Sequence, residues 1–566
     1  NLRIKRVWNQ NQSGTPPTGY YYGTEYTNAE EIIAAKQDYA ASHATHVTGI
    51  AAGAYKGNEY YGIAPDADLV FVSYNVSDNS SSNTSITDGI KYIYDYAESV
   101  GKPCVINMSL GYHIGPHDGT STFDRICDEL QGEGRLLVGA SGNEAEYNIH
   151  ATKTLKKGDT NMKSLVEFVS NWYLYGSMTS TVDIWGDAEK QLSARVFVYD
   201  ILNKKEVYSS ESFSTTTSTS KKISNPTGAD GNIYISTATN PYNKKGNITI
   251  DLNLSSFDNR NYYIGFEISG PEETTINAWT DAYMSWLSNF GNSEFTNGDN
   301  NSTMGEIGGT GKRIITVGAY TSCNYIDHKN SSMWNNSGQT LNQLVSFSSL
   351  GPTADGRMKP DITAPGSMLI SSFNSSTSSN RNGEDYNYVV KQENVNTVNY
   401  YYGSMEGTSM ATPVVTGVLA TWLQANPKLT PEQVREILSN TATTDSYTGN
   451  IAGVGNNRWG YGKINAYDGL VYCLNHSGIE QIGTPTRPMV YPNPATDICY
   501  FLLQNDDKNV NVSIYTLNGT EIYSRYMGNI NAGEQNQLDL SDLAAGIYFI
   551  HITGDKTNMT TKLTVK

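Results

Sequence analysis

The sequence predicts an α/β fold built on a doubly wound parallel sheet, interrupted midway by one β-sandwich and followed by a second. Three observations carry this reading. Between residues 61 and 140, continuous apolar runs such as Leu69-Val70-Phe71-Val72, Val105-Ile106-Asn107-Met108 and Leu136-Leu137-Val138 alternate with helical stretches. That is the text of strands buried on both faces between crossover helices. From about His150 to Asn300 the pattern becomes short alternating segments (Val182/Ile184, Val196/Val198, Ile233/Ile235, Ile248/Ile250/Leu252) divided by polar turns such as Asn225-Pro226-Thr227-Gly228. About eight strands at this spacing make a sandwich. Sheet-like text then resumes at Arg313-Ile314-Ile315-Thr316-Val317-Gly318-Ala319, so this sandwich is inserted. The expected organisation is an α/β domain in two parts (1–150 and 303–478) around an inserted sandwich (151–302), a linker (479–489) and a terminal sandwich (490–566).

The bulk numbers set bounds. A chain of 566 residues is too long for one core. Apolar residues make up 38% and charged residues only 17%, with forty tyrosines and abundant Asn, Ser, Thr and Gly, a balance that fits an extracellular protein. The net charge of −17 offers no basic surface to nucleic acid or anionic membrane. Five scattered cysteines without CxxC spacing give neither a disulfide framework nor a zinc site. No apolar run reaches the roughly 20 residues of a spanning helix. The chain opens on Asn1 without an initiator Met, which reads as a cut N-terminus.

In order, residues 1–40 hold Arg3–Gln10, a Gly/Pro/Tyr loop and a short helical pattern from Asn28. Ser42-His43-Ala44-Thr45-His46-Val47-Thr48-Gly49, with small residues and histidines at i and i+3, reads as a tightly packed helix start. The strand Leu69–Val72 leads to a helix over Ile86–Val100. A buried strand follows and ends in Ser109-Leu110-Gly111; His113 and His117, in the loop beyond, read as solvent-facing. A helix over Thr122–Gln131 and the strand Leu136–Val138 lead into the turn Gly139-Ala140-Ser141-Gly142-Asn143-Glu144. Within the insertion, Trp172 and Trp185 read as core packing, with sugar binding the alternative. Later come the turn Glu406-Gly407-Thr408-Ser409, a helix to Ala425, and a helix from Thr430 to Thr441 with the capping signature Thr430-Pro431-Glu432-Gln433. The terminal module carries Tyr491-Pro492-Asn493-Pro494, Val510/Val512/Ile514, Leu517-Asn518-Gly519 and Leu543–Phe549.

The chemistry concentrates at Gly407-Thr408-Ser409. A Gly-Thr-Ser turn opening a helix puts the Ser409 hydroxyl where unpaired N–H groups and the dipole favour negative charge. That suits a nucleophile whose attack creates an oxyanion. The plainer reading is a helix N-cap.

Two further motifs weigh against the plainer reading: the histidine-bearing helix start and the strand ending in an amide-bearing, Gly-rich turn. With Gly407-Thr408-Ser409-Met410-Ala411-Thr412-Pro413, the three in this order resemble the subtilisin-like serine peptidases. The resemblance implies His43 as general base, Ser409 as nucleophile, Asn143 and the Ser409 N–H as oxyanion donors, and His46 as a structural histidine. It makes Ser109, Leu110 and Gly111 the segment whose backbone pairs with an extended substrate and walls its first specificity pocket. Ala44 stands where the family has glycine. Asp361, in Lys359-Pro360-Asp361-Ile362, falls at a structural position. Some subgroups carry a jelly-roll insertion near residue 150. The family's catalytic aspartate sits at the end of a central strand, and neither that strand nor its Asp-x-Gly turn is in these residues. Asp38, the one aspartate before His43, reads as a solvated residue or helix cap. Residues 490–566 resemble the C-terminal sorting domain of the type IX secretion pathway.

The expectation is a bacterial endopeptidase, secreted or surface-located after export across the outer membrane, acting on protein or peptide substrates and meeting the secretion machinery through its C-terminal domain. No cofactor is implied, and structural calcium is not readable from the sequence. The rivals are a catalytically dead binding protein with the same fold and a surface adhesin working through its β modules.

Overall fold

A computed structural model describes the chain apart from residues 1, 36–41, 55–58, 75–82, 169–177, 225, 227–230, 256, 259, 282–283, 375–383, 396, 477–488, 504 and 517–519. Asp38, Trp172, Leu517-Asn518-Gly519 and nearly all of the expected linker lie outside the described residues. The chain forms two compact units, 1–475 and 476–566.

In the first unit, β1 (Ile4–Asn9) pairs antiparallel with β2 (Thr24–Tyr26) and parallel with β3 (Leu69–Ser73). The helices α1 (Ala29–Ala35) and α2 (His43–Ala52) lie between β2 and β3 in the chain. Then α3 (Thr84–Ser99) leads to β4 (Cys104–Met108), and α4 (Thr122–Leu130) to β5 (Arg135–Ala140), which runs parallel to β4.

The parallel sheet is split between β3 and β4. Among the described residues, β3 pairs only with β1, and β4 only with β5. Yet α3 packs on both sides of the break: Gly89 lies so close to β3 that a Cβ there would meet Val72 at 3.0 Å, and Ile90 and Tyr94 share a core with Ile106 and Met108 of β4. Burial follows the split. Residues 136–140 of β5 are buried without a break, whereas the four apolar residues Leu69–Val72 are each only half-buried. A central strand of a doubly wound sheet is covered on both faces and paired on both edges.

The insertion is a larger sandwich than the sequence implied. Twelve described strands, β6 (His150–Thr154) through β17 (Ser285–Ser288), form two antiparallel sheets of six strands each. Val182, Ile184, Val196, Val198, Ile233, Ile248 and Ile264 fill the core between them. Trp185 is buried outside the core between the two sheets, and its indole N–H donates to Asp183 at 2.7 Å.

Beyond the sandwich, the single turn α5 (Glu306–Gly309) precedes β18 (Ile315–Tyr320) and β19 (Ile362–Pro365), which extend the β4–β5 sheet. An antiparallel trio follows: β20 (Leu369–Phe373), then, after the short α6 (Glu384–Asn387), β21 (Val389–Val395) and β22 (Val398–Met405). α7 (Thr408–Ala425) is buried along most of its length against the sheet, with Ala411, Val415, Val418 and Trp422 in one core with Val138, Val317 and Ile362. α8 (Pro431–Thr441) has the capping box expected of Thr430 and Gln433, and α9 (Ala466–His476) closes the unit. No described helix is long and apolar enough to cross a membrane.

The second unit is a small β-sandwich. A three-stranded sheet (Met489–Tyr491, Ile498–Leu502, Asn536–Asp539) and a four-stranded one (Asp507–Thr516, Glu521–Ile530, Gly546–Thr553, Asn558–Val565) share a core of Phe501, Leu538, Val512, Ile550 and Leu563.

Candidate active site

Ser409 is not the cap of its helix. The N-cap is Gly407, at φ +144°, and Ser409 is the second residue of α7, half-buried, with its hydroxyl free of capping duty. Pro413, four residues on, has no N–H, so the Ser409 carbonyl lacks its helical donor. The Ser109 hydroxyl supplies the bond instead at 2.7 Å. A relay stands behind it: Asn107 Nδ2 donates to Ser109 Oγ at 3.0 Å, and Thr416 Oγ1 to Asn107 Oδ1 at 3.0 Å. The end of β4 is thereby tied to the first turn of α7.

Asn143 stands on the turn after β5, with Gly142 before it at φ +109°. Its Oδ1 accepts from the Thr408 N–H at 2.9 Å and lies 3.0 Å from the Thr408 hydroxyl. Those bonds assign the amide orientation and leave Nδ2 as the outward donor. One point in space, where a Cβ on Gly407 would sit, lies 3.6 Å from the Ser409 nitrogen and 3.7 Å from both Nδ2 and Oδ1 of Asn143. The Ser409 N–H and the Asn143 amide therefore border the same small space, which a side chain at 407 would fill. Glu144 braces the turn: its Oε2 accepts the Asn143 N–H at 2.6 Å and the Ser349 hydroxyl at 2.9 Å.

His43 opens α2. That helix packs on α7 through Val47, Ile50, Met410 and Val414, and further along a Cβ on Gly417 would meet the Ala51 carbonyl at 2.8 Å. Met410, early in α7, shares a cluster with Val47 and Ile50, and Gly417, later in α7, meets Ala51, later in α2. That order fits helices running the same way, with the first turns of His43 and Ser409 toward one end. His43 is exposed, and the protein around it lowers its pKa by desolvation. Among the described residues, no carboxylate bonds to His43 and no hydrogen bond joins its ring to Ser409. His46 is buried. Its Nε2 lies 3.0 Å from the Leu369 carbonyl and 3.1 Å from that of Gly403, and burial takes its pKa down to about 4. It is a neutral strut between α2 and the β20–β22 sheet.

Leu110 and Gly111 continue from β4 with backbone groups that make no hydrogen bond among the described residues, and a Cβ on Gly111 would meet nothing within 4 Å. Such an edge accepts an extended chain. Gly305 and Glu306 bridge the two walls beside it, through Gly305 N–H to Ser141 O at 3.0 Å and Glu306 N–H to Tyr112 O at 2.6 Å. Asp361, 3% exposed, is held by Arg435 Nε and Lys359 Nζ, each at 2.7 Å, and accepts the Thr316 N–H. Burial pushes its carboxyl up, but the two cations outweigh that and hold it at about 2. It is wholly engaged in structure.

The loop histidines depart from the sequence reading. His113 and His117 are buried, against an expectation of exposure. What buries them is the inserted sandwich, whose contact with this loop has no local signal in the sequence. Thr408, Glu144 and Ser349, which set the Asn143 turn, were likewise not singled out.

A profile of the subtilase family matches residues 20–230 and 210–462, and one of the secretion system C-terminal sorting domain matches residues 489–566. The serine protease AprX of Bacillus subtilis is 36% identical over 158 residues, 28% of this chain and 30% of that protein. An uncharacterized protein of Aquifex aeolicus is 39% identical over 137 residues, 24% of this chain and 53% of that protein. The chain thus spans between about a third and a half of these curated relatives. Among solved structures, the CspB protease of Clostridium perfringens gives a TM-score of 0.60 over 84% of this chain and 90% of that chain at 19% identity, a likeness of fold.

Proposed function

The chain belongs to the subtilase family, and from that premise we propose a secreted endopeptidase that cleaves peptide bonds through an acyl-enzyme on Ser409. Its C-terminal sorting domain directs export by type IX secretion to the cell surface or beyond. His43 takes the Ser409 proton as the hydroxyl attacks the scissile carbonyl. The Ser409 N–H and Asn143 Nδ2 receive the oxyanion, and His43 returns the proton to the leaving amine. Water then releases the acyl group by the same steps. The substrate lies extended along Leu110 and Gly111. The observation that carries this reading is the shared point 3.6 Å from Ser409 N and 3.7 Å from Asn143 Nδ2, at the helix end that His43 also occupies.

His43 needs an acid to orient its ring and to stabilise the imidazolium; losing that group costs triad enzymes about 10⁴-fold. In this proposal the carboxylate arrives on an extended segment outside the given residues, seated between the free edges of β3 and β4.

A fluorophosphonate probe tests the reading on the protein expressed with its upstream coding sequence. Labelling of Ser409, abolished by His43→Ala, is expected. A folded protein that takes no label would favour the second reading, a binding protein that keeps the fold without the chemistry. The observation behind that rival is the lack of a carboxylate beside His43 among the described residues.

A further inference from the structure

The loop following β4 is packed from outside by the inserted sandwich. Trp279, 1% exposed on the strand Thr275–Thr280, stacks on His117 with ring centroids 4.1 Å apart and planes at 15°. His150, from the first strand of the sandwich, lies against the same indole at 4.9 Å, and the indole N–H donates to the Ser302 carbonyl at 3.0 Å. His117 stacks in turn on His113 at 5.9 Å and 13°, with Nε2 3.0 Å from the His113 carbonyl. His113 Nε2 lies 3.4 Å from Glu144 Oε2, the oxygen that accepts the Asn143 N–H at 2.6 Å. A second tie runs beside this one: Asp183, buried in the strand Met178–Ala188, accepts the Gly115 N–H at 2.8 Å.

A run of buried rings thus connects the sandwich to the turn bearing the candidate oxyanion donor. That turn needs holding, because Gly142, at φ +109°, gives its backbone little preference of its own. The core domain grips it from the other side, with Ser349 N–H on the Gly142 carbonyl and Ala145 N–H on the Phe347 carbonyl, both at 3.0 Å. The question is whether this grip suffices alone.

We propose that it does not: the inserted sandwich is a working support of the oxyanion turn. Trp279, His117 and His113 are positioning residues that hold Glu144, and through it Asn143, in place. The inference rests on the reading of Asn143 as an oxyanion donor, but its test does not depend on activity. Amide hydrogen exchange is followed over residues 139–147 in the full chain, for the wild type and for His113→Ala, Trp279→Ala, Trp279→Phe and Ile235→Ala. Losing one buried link of this run is expected to speed exchange at this turn by about tenfold to a hundredfold in His113→Ala and Trp279→Ala. Trp279→Phe keeps an aromatic face and is expected to restore most of the protection. Ile235 is equally buried but three strands from Trp279 in its sheet, and Ile235→Ala is expected to leave the turn as in the wild type.

The proposal is overturned if His113→Ala and Trp279→Ala exchange like the wild type, if Trp279→Phe loosens the turn as much as Trp279→Ala, or if Ile235→Ala loosens it equally. Fluorophosphonate labelling of the same proteins is read separately. A wild type that takes no label when expressed with its upstream coding sequence refutes the assignment of Ser409, while the exchange data still decide whether the sandwich supports the turn.

Discussion

In the proposed mechanism Asn143 does two jobs with one amide, and a pair of substitutions separates them. Its oxygen takes the N–H of Thr408 at 2.9 Å and faces the Thr408 hydroxyl at 3.0 Å, which fixes the start of α7; its nitrogen faces the space beside the Ser409 N–H. Asn143→Ala removes both functions. Two hydrogen bonds at about 1 kcal/mol each, with a buried N–H left unpaired, put the expected loss of stability at about 2–3 kcal/mol. For a unit of this size that is several degrees in Tm. Asn143→Asp keeps the acceptor oxygen and so should melt close to the wild type. It replaces the donor with a second oxygen bearing negative charge where the oxyanion must form. The labelling rate at Ser409 is expected to fall about 10²–10³-fold in Asn143→Ala, the loss seen when the corresponding donor is removed from subtilisin, and at least as far in Asn143→Asp. The assay is the second-order rate of fluorophosphonate labelling, located by peptide mass spectrometry, alongside calorimetry. If Asn143→Asp labels within threefold of the wild type, the assignment of the side-chain donor is wrong, however stable the variant.

Gly407→Ala should cost about 1–3 kcal/mol, because φ is +144°, and should depress labelling by more than its stability loss explains, since the new methyl occupies the oxyanion space. Calorimetry and labelling on the same preparation decide this. Ser109→Ala leaves the Ser409 carbonyl without its 2.7 Å bond and is expected to lower stability by about 1–2 kcal/mol, a loss that Ser109→Thr recovers in a melting series. Asp361→Asn weakens a buried triad and should cost about 3–5 kcal/mol, while the folded protein labels at the wild-type rate; a labelling defect at full folding would give Asp361 a catalytic role it has not been assigned. Burial raises the carboxyl of Asp124 to about 7 and that of Asp183 to about 6. Folding therefore binds protons at these sites. Their contribution is complete below about pH 4 and is lost as pH climbs towards 7, at up to about 1.4 kcal/mol per pH unit for each group. Asp124→Asn should flatten that slope in denaturant titrations run from pH 4 to 8.

The sequence carried the local part of this molecule and was silent on the non-local part. The turn at Gly407-Thr408-Ser409, the helix start at His43 and the strand-end turn at Asn143 were legible as short local backbone devices, and the family resemblance supplied the roles proposed for them. The burial of His113 and His117 was not legible. It depends on Trp279, more than 160 residues away, and no loop histidine announces which surface will cover it. The Ser109 hydroxyl was missed for a related reason: its partner carbonyl is orphaned by Pro413, but the strand end that repairs it lies 300 residues earlier. The size of the sandwich was underread because short strands such as Phe213–Ser214 leave no periodic trace.

The split sheet joins the fold to the chemistry. Leu69-Val70-Phe71-Val72 is the text of a strand covered and paired on both sides, yet among the described residues β3 is half-buried and paired on one edge only. The first two residues of β4 are likewise half-buried, although its neighbour β5 is buried from residue 136 to 140. Unpaired apolar strand edges invite pairing with any strand that presents itself. Separately, His43 stands at the shared end of α2 and α7 with no carboxylate bonded to it among the described residues. These two deficits arise from different physics, one from burial and backbone pairing, the other from the need to orient and charge an imidazole. A single extended segment running parallel to β3 and β4, with an acid at its carboxyl end, answers both. A carboxylate on a surface loop would complete the triad but leave the edges bare, and a strand without an acid would do the reverse. That one element satisfies two unrelated requirements supports the proposal, which began from the family resemblance, that the acid stands on a strand between β3 and β4.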